Sequence, residues 1–151
     1  QAGQFSPGNS PVLNFGIGSK SAWIHFAVDN PTAAPLQKRL SIEIAWLDQV
    51  EVYVQYRGKT VERYRAGDTL PFAQRPVDSR YFVFDHTFEP GTSDVFIRLE
   101  TPDPMVAPIY LLSPETSRLR QMQQEFSYGI VYGFLLALMA YNAILFASLR
   151  S

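Results

Sequence analysis

The 151-residue chain has no cysteine. It therefore has no disulfide framework, no thiolate metal site and no thiol nucleophile. Histidine is nearly as scarce: His25 and His86 are the only two, too few for a zinc site without carboxylate help. Neither sign of charge is in excess. The 13 Lys and Arg against 14 Asp and Glu argue against nucleic acid as a partner, since such binders carry a basic surplus. Catalytic signatures are missing too, with no G-x-S-x-G, no H-E-x-x-H and no Gly-rich phosphate loop. Asp85 and His86 adjoin, but neighbours on a strand point to opposite faces, so no enzyme is expected and no catalytic residue is assigned. QAGQFSPGNSP lacks the basic start and apolar stretch of a signal peptide. If the domain is exported, Gln1 begins a processed or trimmed form.

The longest absence is of charge. From Phe126 to Leu149, 24 residues carry none: FSYGIVYGFLLALMAYNAILFASL. As a helix the run spans roughly 36 Å, against a bilayer core of about 30 Å. Arg150 follows at once, and Arg118 and Arg120 lie upstream. The alternative is a buried core helix, for which a small β domain has little interior. Tyr128, Tyr132, Tyr141 and Asn142 are more polar than a simple anchor needs, and polar groups inside a span face other helices. Gly129, Gly133 and Ala137 recur every four residues, a face on which another backbone can approach. Ser113-Pro114-Glu115 is helix-start chemistry: a capping hydroxyl, a proline at the first helical position and an acid at the positive end of the dipole.

What precedes the helix alternates with period two. In SAWIHFAVDNP, Ala22, Ile24, Phe26 and Val28 face one side, and Ser21, Trp23, His25 and Ala27 the other. RLSIEIAW sets Leu40, Ile42, Ile44 and Trp46 against Arg39, Ser41 and Glu43. VEVYVQY sets valines against Glu51, Tyr53 and Gln55. Arg57-Gly58-Lys59 then turns into TVERYRA as an antiparallel partner. Gly67-Asp68 opens a loop, and SRYFVFDHTF is a further strand from Ser79. DVFIRLET puts Val95, Ile97 and Leu99 inward, and Phe96, Arg98 and Glu100 outward. Prolines at 102, 104 and 108 leave PIYLL as a short or edge strand. PVLNFGIG, from Pro11, holds another short edge strand. Six to eight such strands without a helix among them predict an all-β antiparallel sandwich or barrel, followed by one long C-terminal α-helix. The boundaries expected are 1–112 for the β domain, 113–125 for a helical connector and 126–149 for the first transmembrane helix.

SAWIHFAVDNP, LDQVEVYV, GDTLPFAQRPVDSRYFVF, FIRLET and PIYLLSPE, in this order, resemble extracellular domain type 2 of bacterial seven-transmembrane receptors with diverse intracellular signalling modules. YGFLLALMAYNAILFASLR is similar to that family's first membrane helix. The resemblance implies a jelly-roll β-sandwich like carbohydrate-binding modules. It also implies a periplasmic sensor anchored in the bacterial inner membrane, with a histidine kinase or diguanylate cyclase output. One position departs: Trp23 and Ile24 match, but His25 stands where the family commonly has Arg. An imidazole titrates at roughly pH 5 to 8, so a ligand contact there becomes pH-sensitive.

A carbohydrate site needs flat aromatic faces for sugar C–H surfaces and charged or amide groups for hydroxyls. Trp23 and His25 share a strand face, and Tyr53, Arg80 and Arg98 join them if their strands are neighbours. The plainer alternatives are packing for Trp23, a structural hydrogen bond for His25, and solvation or ion pairing for the two arginines. No cofactor is expected except calcium, which takes about six to eight oxygens. Asp48, Glu51, Asp68, Asp78, Asp85, Asp94 and Asp103 are scattered rather than set in a D-x-D-x-D loop, so no metal ligand is assigned. Three roles stand open: a sensor for a glycan or other small molecule, an interaction module that forms a homodimer through an edge such as PIYLL, and a rigid cap on a helical bundle.

Overall fold

The computed structural model describes residues 5–8, 10, 12–18 and 21–150. The expectations placed on Gln1 and Pro11, and the side chain of Arg150, lie outside the described residues. The chain divides into two compact units, residues 1–114 and 115–151. Eight strands occupy the first: β1 (Val12–Asn14), β2 (Ala22–Asn30), β3 (Leu36–Ile42), β4 (Gln49–Tyr56), β5 (Lys59–Ala66), β6 (Phe82–Phe88), β7 (Gly91–Glu100) and β8 (Val106–Leu112). A single helix, α1 (Pro114–Arg150), makes up nearly all of the second.

The strands form two four-stranded sheets. Sheet one runs β1-β8-β3-β6 and sheet two β2-β7-β4-β5, with every pairing antiparallel. The period-two patterns explain which faces meet. Ile24 and Val28 of β2, Val50, Val52 and Val54 of β4, and Val95, Ile97 and Leu99 of β7 are buried from sheet two. Leu40, Ile42, Phe82, Phe84, Phe88 and Ala107 are buried from sheet one, and both sets belong to one core cluster. Each fully buried aliphatic or aromatic side chain contributes roughly 1.5–3 kcal/mol, so the alternation itself supplies the force that packs the sheets.

Polar groups tie the sheets as well. The Asn30 amide donates to the Phe88 carbonyl at 3.0 Å. The Tyr64 hydroxyl donates to the Asp85 carbonyl at 2.9 Å and lies 3.1 Å from His86 Nδ1. Asp85 and His86 have different partners: Asp85 takes a bidentate pair from Arg39 at 2.7 and 2.8 Å, while His86 lies against Tyr64. The β4–β5 connection is a two-residue turn with Arg57 and Gly58 both at positive φ (51° and 73°), the conformation that matches strand twist in tight hairpins.

Several strands depart from their predicted extents: β6 begins at Phe82 rather than Ser79, β7 at Gly91 rather than Asp94, and β8 at Val106. β3 stops at Ile42 instead of reaching Trp46, because Ile44 N turns back to the Ile42 carbonyl at 2.8 Å. Ile44 is still buried, but Trp46 is exposed and donates its indole N–H to the Pro104 carbonyl at 3.2 Å. PIYLL is an edge along part of its length: β8 pairs with β1 through residues 106–108 and with β3 through residues 109–112, so IYLL has a neighbour on one side only. Pro108 is tolerated there for a local reason. Its carbonyl accepts from Glu43 N at 3.0 Å, just beyond the end of β3, so the missing N–H points where the ladder has already stopped.

In the second unit, α1 is 37 residues long, about 55 Å at helical rise. It carries a candidate membrane span of mean hydropathy 2.0, none of it buried. That is the opposite of a core helix in a soluble protein.

Candidate functional site

The outward face of sheet two is built by register. On β2, Trp23 pairs with Arg98 and His25 with Phe96 of β7. On the far side of β7, Arg98 pairs with Glu51 and Phe96 with Tyr53 of β4. β5 completes the rows with Arg65 beside Glu51 and Arg63 beside Tyr53. One row thus reads Trp23–Arg98–Glu51–Arg65, and the next His25–Phe96–Tyr53–Arg63.

The side chains close over this lattice. Trp23 and Tyr53 stack with ring centroids 5.9 Å apart, reaching across β7 between them. His25 stacks on Phe96 at 4.5 Å and its Nε2 lies 2.7 Å from an Asp94 carboxylate oxygen. Phe5 leans on both rings, at 5.5 Å from His25 and 6.3 Å from Phe96. Arg63 lies over the Tyr53 ring at 5.1 Å.

Glu51 is the electrostatic centre. It is only 7% exposed, beneath groups that bond to it. Arg63 donates at 2.8 Å, the Tyr53 hydroxyl at 3.0 Å and Arg98 at 3.3 Å, with Arg65 at 3.4 Å. Arg98 also pairs with Glu100. Burial pushes the Glu51 carboxyl up. The bonds from Arg63 and Tyr53, the Arg63 charge and the Arg98 bond outweigh it and hold the group below the usual carboxylate range. The face therefore offers an indole 46% exposed, a phenol, an imidazole and guanidinium edges around one fixed anion.

Of the five residues singled out from sequence, Trp23, His25, Tyr53 and Arg98 come together here. Arg80 does not. It precedes β6 of sheet one, where its carbonyl accepts from Arg75 and its guanidinium lies 5.8 Å from the Tyr81 ring centre. Among the described residues, no group of three or more His, Asp or Glu is placed to hold a metal ion.

The family model described as 7TMR-DISM extracellular 2 matches residues 1–113. The chain belongs to this family. None of the curated proteins matches the chain. The 7TMR-DISM extracellular 2 domain is a receptor domain rather than an enzyme family, and its match ends where α1, with its candidate span, begins. The protein is therefore the extracellular sensor domain of a membrane receptor together with a membrane-anchoring helix.

Sequence reasoning left Glu51, Phe96 and Arg63 out of the site. Alternation had already put Glu51 and Phe96 on outward faces. What it lacked was strand order, which makes β7 the shared neighbour of β2 and β4.

Proposed function

We propose that the domain senses a small extracytoplasmic solute, of carbohydrate class, on the outward face of sheet two. It relays occupancy through the membrane helices to a cytoplasmic histidine kinase or diguanylate cyclase. The β domain then lies in the periplasm and the helix in the bacterial inner membrane. The observation that carries this reading is the exposed Trp23–Tyr53 stack beside the Glu51–Arg98–Arg63 cluster. Stacked rings offer apolar faces to sugar C–H surfaces, and the guanidinium edges offer donors to hydroxyls. Strand order supports a jelly-roll kinship with carbohydrate-binding modules: eight antiparallel strands in two sheets, with most connections crossing from one sheet to the other. Relay requires that the ligand bind two states of the receptor with different affinity.

The test is thermal unfolding of residues 1–112, which contain the whole core cluster, against a panel of glycans. A ligand specific to the folded state raises the midpoint with the logarithm of its concentration. The expected result is a glycan-dependent rise that is lost in both Trp23→Ala and Tyr53→Ala, while both variants still unfold cooperatively. A rise that survives both substitutions rejects this face. A rise with calcium alone moves the site to the carboxylates.

A further inference from the structure

A cleft of about 1130 Å³ opens between the sheets beside β2, the edge strand of sheet two. That is around the upper end of the range for small-molecule sites, about 300–1,000 Å³. Its walls are largely apolar. Phe26 and Val28 come from β2, Leu36 from β3, and Ile109 and Leu111 from β8. Asp29 and His25 reach it from the outward face of β2, where Thr92 bonds Asp29 at 3.3 Å and Asp94 holds His25 at 2.7 Å.

Lys38 brings a cation to the cleft, whose polar lining also includes Ser10, Asn14, His25 and Asp29. On β3 it falls in the series Leu36, Lys38, Leu40, Ile42, the series that faces the core. Its cross-strand partner is His86, set between the buried Phe84 and Phe88. Lys38 borders both the cleft and a small inner void lined by Leu40, Val52, Phe84 and His86. Among the described residues its ammonium has no hydrogen bond and no ion pair. His86 supplies no counter-charge, since an imidazole is never anionic, and burial lowers its pKa toward the neutral ring. Half-buried but still reached by solvent, this ammonium is an available cation at the cleft wall. An apolar neighbourhood around it asks for one anion attached to an apolar body.

The geometry points to a binding site for an amphipathic carboxylate, with the acid group on Lys38 and an aliphatic chain laid between β2 and β8. The cleft shares Trp23 and His25 with the outward face of sheet two, whereas Tyr53, Glu51 and Arg98 do not line it. Two of its wall residues, Ile109 and Leu111, lie on β8, which continues through Ser113 into α1. A bound chain therefore rests on the strand that leads to the membrane helix.

The experiment uses the full chain in lipid nanodiscs and a decanoate bearing a photoreactive diazirine, with labelled peptides mapped by mass spectrometry. Labelling is expected on peptides from β2 and β8, competed by unlabelled decanoate and not by decyltrimethylammonium. It is expected to fall about tenfold or more in Lys38→Met, the size of one lost charge-assisted hydrogen bond, and to persist in Lys38→Arg. Leu111→Trp, which fills the cleft and leaves the charge in place, is expected to reduce it as well. Lys38→Met is expected to unfold at close to the parent's temperature, because the ammonium it removes makes no bond among the described residues. Labelling confined to α1, or undiminished on β2 and β8 in Lys38→Met, overturns the assignment. Loss of labelling in Tyr53→Ala with Lys38 intact would assign the ligand to the outward face instead.

Discussion

Glu51 and His86 make the domain acid-sensitive by two routes. The Glu51 carboxyl is held below its ordinary range: burial raises it, but bonds from Arg63 and Tyr53 win. A depressed folded-state value means that its stabilisation is present above the unfolded pKa, about 4.3, and is lost as pH falls through the folded value. His86 shifts the same way for a different reason. Burial lowers its pKa, with the Glu62 charge opposing, so its contribution is present above about 6.5 and declines as pH falls. The thermal midpoint of residues 1–112 is therefore expected to drop in two stages between roughly pH 8 and 3. His86→Phe removes the upper stage, and Glu51→Gln removes the lower. Glu51→Gln also costs about 1–3 kcal/mol near neutrality, because the ion pairs with Arg63 and Arg98 become weaker bonds from charged donors to a neutral amide. A midpoint flat from about pH 7 to 5 would show that the His86 ring is solvated in the folded state.

Among the strands and turns, the tightest constraint falls on the end of β5. Gly67 adopts φ +150°, and a Cβ there would sit 2.0 Å from the Asp48 carbonyl oxygen. The next residues are stitched to the same segment: Asp68 N donates to the Leu47 carbonyl at 2.9 Å and Thr69 Oγ1 to that of Asp48 at 2.7 Å. Gly67→Ala should cost about 3 kcal/mol or more, because backbone must move. Gly58 also has positive φ, but nothing stands within 4 Å of its Cβ position, so Gly58→Ala should cost only about 1–2 kcal/mol. Urea unfolding of the two variants checks the contrast, and equal losses would show that conformation rather than space governs Gly67. Sequence announced a loop at Gly67-Asp68, but the approach of Asp48 is a tertiary fact. The same limit runs through the fold. β2, β4 and β7 were legible because each sets apolar against polar residues over several positions. The end of β3 was not, since Ile44 and Trp46 continue the alternation after the hydrogen bonds have turned away. Nor does alternation say which strands pair, so Trp23 and Tyr53 could be placed on outward faces but not on one patch. Arg80 missed it because β6 begins only at Phe82, in the other sheet.

For the molecule as a whole, the two units face different solvents. The core cluster runs from Ala22 to Ala107, wholly within the first unit, and owes nothing to α1. The helix has the opposite character: its apolar window is exposed throughout. Exposed apolar surface on that scale is not stable in water, while a helix satisfies its own backbone bonds in lipid. At about 55 Å it exceeds the roughly 30 Å hydrocarbon core, so the bilayer is expected to take the uncharged 126–149 stretch and leave residues 113–125 outside. The absence of cysteine makes this directly measurable, since each introduced thiol reports alone. In bacterial spheroplasts, a membrane-impermeant maleimide should label Lys59→Cys at the start of β5 and Gln121→Cys in the connector. Leu136→Cys should react only after detergent is added. Labelling of Leu136→Cys in intact membranes would mean that the apolar stretch lines an aqueous path or lies outside the bilayer. Protection of Lys59→Cys would put the β domain on the cytoplasmic side, where an extracytoplasmic solute cannot reach the Trp23–Tyr53 face.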